Sequence, residues 1–98
     1  MEIEQIRNKN ELTIKVIGEI DSVTAPKFEA EVFPLLNGIE NLTLDFEKLE
    51  YISSAGLRSI LVILKVMNKQ GKMKIINVGE SPRSVFEMTG FDSVLDIE

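Results

Sequence analysis

Apolar and polar residues alternate through Leu12-Thr13-Ile14-Lys15-Val16, the two-residue period of a strand with one buried face. Gly18 ends the run. Ile3 and Ile6 lie before it, across the polar cluster Asn8-Lys9-Asn10-Glu11, so a short first strand and a tight turn are expected to form a hairpin. From Phe28 the period becomes helical. Phe28, Val32, Leu35 and Leu36 share one stripe, with Glu29 and Glu31 outside it. Asp21 to Pro26 reads as a loop feeding that helix, with Ser22 or Thr24 able to cap it and Pro26 tolerated in the first turn. Pro34 is expected to bend or end the helix, and Asn37-Gly38 to stop it. Leu42-Thr43-Leu44-Asp45-Phe46 predicts the next strand. Leu49, Tyr51 and Ile52 then lead into a second helix that begins at Ser53 or Ser54 and runs to Gly71. Met73, Ile75, Ile76 and Val78 predict a further strand. Ser81-Pro82 is expected to cap a third helix, carried by Val85, Phe86 and Met88 and ended by Thr89-Gly90. Val94, Leu95 and Ile97 predict a last short strand.

The expected order is therefore β-β-α-β-α-β-α-β in a single domain, residues 1–98. Strands that alternate with helices pair in parallel through right-handed crossovers. The fold class is α/β, with a mixed sheet that is mostly parallel and an antiparallel hairpin at its start. Such sheets carry function in the loops at the carboxyl ends of their parallel strands. Here those loops begin at Asp21, Ser53 and Gly79.

Composition removes most chemistry from those loops. The 98 residues include no Cys, His or Trp, which excludes disulfides, a thiol nucleophile and a Ser-His-Asp arrangement, and takes away the usual ligands of transition metals. No phosphate-cradling glycine loop or nucleophile elbow is present. An enzyme is not expected, nor a cofactor or a metal. The formal net charge of −5 argues against direct nucleic-acid binding, which depends on Lys and Arg neutralising phosphates. The charge is also uneven. Residues 1–50 hold 5 basic and 11 acidic side chains, and residues 51–98 hold 6 and 5. Membrane insertion is not expected either: the longest apolar run, Ile60–Leu64, is five residues, where a span needs about 20. Met1–Asn10 has no apolar stretch of the kind a secretory signal requires.

Attention falls on Tyr51-Ile52-Ser53-Ser54-Ala55-Gly56-Leu57-Arg58, where two hydroxyls meet the start of a helix. One can serve as an N-cap. A hydroxyl there also sits among unpaired N–H groups at the positive end of the helix dipole. A phosphate added to it gains hydrogen bonds without melting the helix. At about 100° per residue, Leu57, Ile60, Leu61, Leu64 and Met67 form the expected core stripe. Val62 and Val66 point away from it, with Ser59 beside them. Arg58, Lys65, Lys69 and Lys72 follow a line that begins at Ser54. An outward apolar pair beside a basic row suits the docking of a partner.

These segments together resemble the STAS domain, and within it the small stand-alone anti-sigma factor antagonists (anti-anti-sigma factors) of bacteria. Gly18-Glu19-Ile20-Asp21-Ser22 with Thr24-Ala25 looks like the family's segment before its first helix, and Tyr51 to Leu57 looks like its phosphorylation segment. Gly79 to Pro82 and Thr89-Gly90-Phe91 are similar to its C-terminal part. The resemblance implies a cytoplasmic partner-switching protein. Unmodified, it would bind an anti-sigma factor that is also a serine protein kinase of the GHKL type. Phosphorylated by that kinase, it would be released, and a PP2C-type phosphatase would reset it. Ser54 matches the phosphoacceptor. Ser53 replaces the acid common before it and is the alternative acceptor, Ala55 replaces a second hydroxyl, and Arg58 stands where glycine is usual. Asp21 matches a position that contacts the kinase. The expected contact surface comprises Asp21, Ser22, Arg58, Ser59, Val62 and Val66. A constitutive adaptor subunit of a signalling scaffold or transport complex, indifferent to phosphorylation, is the alternative.

Overall fold

The computed structural model describes residues 1–98. Strand β1 (Glu2–Asn8) and strand β2 (Glu11–Ile20) form the expected antiparallel hairpin, from Glu2 opposite Ile17 to Asn8 opposite Glu11. Lys9, in its two-residue turn, takes φ +57°. Strand β3 (Asn41–Asp45) runs parallel to β2, and strand β5 (Lys72–Ile76) parallel to β3. The sheet order is β1-β2-β3-β5. Leu12, Leu42 and Met73 make one cross-strand row and Ile14, Leu44 and Ile75 the next. All six are buried, because side chains two apart on a strand share a face.

Helix α1 (Ala25–Val32), helix α2 (Ser54–Asn68) and helix α3 (Glu80–Thr89) complete the core. It is one cluster of 22 buried apolar residues. Phe86 of α3 stacks on Phe46 at 6.4 Å between ring centres. The opposite face of the sheet is mostly polar, with Lys15 standing between Glu4 and Asp45 in the ladder and Ile6 exposed beside Thr13. As expected, Pro34 diverts α1 into a 3-10 turn, Phe33–Leu36. Gly90, at φ +77°, ends α3 in the left-handed conformation that glycine adopts without strain.

Four expectations are corrected. Leu49–Ile52 is not merely a lead-in to α2 but a strand, β4, parallel to Gly18–Ile20 at the end of β2. Its register slips against that of β3 at the Phe46–Lys48 turn and again at a bulge between Gly18 and Glu19. The expected final strand reduces to a single bridge between Ile97 and Ile75, because a 3-10 turn at Phe91–Ser93 consumes the chain before it. Ser81 does not cap α3, which starts two residues earlier, at Glu80 after the cap Gly79. Helix α2 ends at Asn68 rather than Gly71, which puts Lys72 in β5 and off the helix's basic line.

Gly71 has a different task from stopping the helix: a Cβ there would run into the backbone of Glu40. Backbone cannot yield as a flexible side chain can. Gly71→Ala is therefore expected to lower the unfolding free energy by about 1–3 kcal/mol, measured by urea denaturation. An unchanged midpoint would contradict that close approach.

Candidate functional site

The carboxyl ends of β2 and β4 lie side by side, with Ile20 opposite Ile52. This pairing brings the loop after β2 next to the first turn of α2. Ser53 N–H donates to the Ile20 carbonyl at 2.9 Å, fixing where α2 begins. Gly56 makes the contact possible. A Cβ at that position would come within 2.7 Å of the Ile20 carbonyl oxygen and 2.6 Å of an Ile52 side-chain carbon.

The two serines divide the work. Ser53 is the N-cap of α2: it has extended backbone, and its hydroxyl accepts a long hydrogen bond from Gly56 N–H at 3.4 Å. Ser54 is the first helical residue and is exposed, and its hydroxyl takes no partner within the chain. The N–H groups of Ser54 and Ala55 are likewise unpaired. A free hydroxyl thus stands beside free donors at the positive end of a helix.

Asp21 organises the neighbouring loop. Its Oδ1 accepts from the N–H groups of Val23 and Thr24, both at 2.9 Å. Its own N–H donates to Thr24 Oγ1 at 2.9 Å, and that hydroxyl donates to the Glu19 carbonyl at 2.8 Å. Thr24, the residue before α1, therefore uses its side chain to tie the loop back to β2 and makes no cap bond to the helix. The N–H bonds from Thr24 and then Val23 hold the Asp21 carboxyl below its ordinary value. Oδ2 has no partner in the chain and remains available. Ser22 and Val23 are exposed at the tip of the loop, Val23 at 82%.

Along α2 the buried face is Gly56, Leu57, Ser59, Ile60, Ile63 and Met67. It is turned by about 70° from the expected stripe. Two non-hydrophobic residues explain the rotation: Gly56 allows the approach to β2, and Ser59 reaches α1. Ser59 is only 1% exposed, and its hydroxyl donates to Glu29 Oε2 at 2.7 Å. It is an interhelical tie and cannot belong to the expected contact surface. Val66 packs on the margin of the core, so the expected outward pair Val62 and Val66 is corrected to Leu61 and Val62. Both of those are half-buried and lie outside the core cluster. Arg58 and Lys65 flank them, exposed and without an ion pair, since the chain's one salt bridge joins Lys74 to Glu98. Leu61 escaped the sequence pattern because leucine in a helix reads first as core. Its place two turns after Ser54, on the same face, was the available signal.

The model of the STAS domain family matches residues 2–98. The anti-sigma-B factor antagonist of Bacillus subtilis is 29% identical over 92 residues, which are 93% of this chain and 84% of that protein. The crystal structure of an anti-sigma factor antagonist from Mycobacterium paratuberculosis superposes with a TM-score of 0.88 at 23% identity, over 98% of this chain and 83% of the other. SpoIIAA of Bacillus has been solved both unphosphorylated and phosphorylated. At 17% identity, its two forms match with TM-scores of 0.83 and 0.74, over 99% of this chain and 88% and 91% of theirs. No helix is long and apolar enough to cross a membrane.

Two outcomes follow for the site. Ser53→Ala is expected to cost about 1 kcal/mol in urea unfolding, and Ser54→Ala less than about 0.5 kcal/mol, since only the first serine caps the helix. The reverse order would exchange their roles. For Asp21 the folded-state value is depressed, so its stabilisation is present at neutral pH and is lost as the pH falls through that lowered value. The stability difference between the wild-type chain and Asp21→Asn is expected to narrow below the ordinary carboxylate range. Denaturation curves down to about pH 2 check it, and a constant difference would refute it.

Proposed function

The chain belongs to the STAS domain family, and from that premise we propose that it is an anti-sigma factor antagonist whose binding is switched off by phosphate on Ser54. The observation that carries this reading is the exposed, unpartnered Ser54 hydroxyl beside the free N–H groups of Ser54 and Ala55. Ser53 is the lesser acceptor, because its hydroxyl is half-buried and engaged with Gly56. The unmodified protein docks on an anti-sigma factor through the Asp21-Ser22-Val23 loop and the side of α2 that carries Arg58, Leu61 and Val62. Occupying the anti-sigma factor frees its sigma factor. The antagonist itself catalyses nothing.

The partner is a serine kinase of the GHKL type. Ser54 Oγ attacks the γ-phosphorus of ATP, the bond to the β-phosphate oxygen breaks, ADP leaves, and the hydroxyl proton passes to a base on the kinase. The mark adds about −1.5 to −2 charges in the middle of the docking surface. Burying that charge against a partner that fitted a neutral hydroxyl is strongly unfavourable. Hydrolysis of the phosphoserine by a PP2C-type phosphatase restores the docking form. This cycle is cytoplasmic.

Incubation with the cognate kinase and ATP is expected to raise the intact mass by one phosphate, and Ser54→Ala to abolish the rise. Persistence of the rise in that variant would move the acceptor elsewhere. Ser54→Asp and Val62→Glu are each expected to weaken binding at least about tenfold by calorimetry, with unchanged circular dichroism. Binding that ignores Ser54→Asp would favour a constitutive adaptor instead.

A further inference from the structure

We propose that Arg58 captures the phosphate on Ser54, so that a single modification both adds negative charge and withdraws a cation from the docking surface. This inference rests on Ser54 being the modified residue. Ser54 and Arg58 are four residues apart on α2, both on its solvent side, where Cβ atoms are about 5–6 Å apart. The guanidinium has no ion pair and no hydrogen bond within the chain to give up. An anion preceding a cation by four residues is also the order that the helix dipole favours. Arginine offers a planar fork matched to phosphate oxygens.

The other nearby charges leave this pairing as the natural one. Glu19 and Asp21, at the end of β2, are acids and repel a phosphate. The ammonium of Met1 lies against Gly18 of β2, and Lys27 Nζ donates to the Met1 carbonyl at 3.4 Å. Lys65 lies eleven residues along α2 from Ser54, about 16 Å down the axis. Leu57, the remaining neighbour one turn from Ser54, is buried. Release of the partner would then have two physical sources: repulsion by the new charge, and loss of a basic contact that the unmodified surface offered.

The test installs phosphoserine at position 54 during translation of the full chain and follows its phosphorus resonance by NMR through a pH titration. The second phosphate ionisation is expected about 0.3 unit lower with Arg58 present than in Arg58→Gln, while Lys65→Gln leaves it unchanged. Equal titration of the parent and Arg58→Gln overturns the proposal. So does an equal effect of Lys65→Gln, which would reveal only a general field. Because the phosphate is placed without a kinase, this result does not depend on the switch itself. That reading fails separately, if the phosphorylated chain binds the anti-sigma factor as tightly as the unmodified one.

Discussion

The site depends on how closely the first turn of α2 approaches the end of β2. The Ile20 carbonyl accepts the Ser53 N–H, and the missing side chain at Gly56 lets the helix settle against that same oxygen. Were the helix held further off, the chain entering it from β4 would no longer lie beside the loop after β2. Ser54 and Asp21 would then cease to be neighbours on one surface. A backbone hydrogen bond and a steric allowance, rather than any contact between functional side chains, assemble the edge where recognition is proposed.

That arrangement also separates two demands that compete for one chemical group. A helix N-terminus needs an oxygen to satisfy its orphan donors, and a regulatory phosphate needs a hydroxyl that no other bond holds. On the proposed reading, adjacent serines meet the two demands independently. Ser53 caps the helix without using Ser54, so the proposed phosphate would change the charge at the surface and leave the cap in place. The loop at Asp21 follows the same economy, with Oδ1 spent on its own loop and Oδ2 left without a partner.

Much of this was legible in the residues. The alternation at Leu12–Val16 and the apolar stripe of α1 identified the hairpin and the first helix, and the serine pair identified the start of α2. What escaped was set by tertiary contacts that hydropathy does not encode. Gly56 and Ser59 face inward because of one carbonyl and one glutamate from distant parts of the chain, and together they rotate the helix away from its most apolar stripe. Leu61 consequently turns outward. Strand β4 was obscured because Leu49 and Ile52 are buried while Glu50 and Tyr51 between them are exposed, a spacing that breaks simple alternation.

Leu61 and Val62 stand outside the core cluster, and Arg58 and Lys65 bear on nothing within the chain. Substitutions at these four positions leave the packed interior untouched, whereas Ser59, one residue from Arg58, is locked by Glu29. If this face is the docking surface proposed above, partner preference can therefore change while the fold stays as it is. Duplicated copies in one cell could acquire mutually deaf pairings by changing a handful of residues on a single helix.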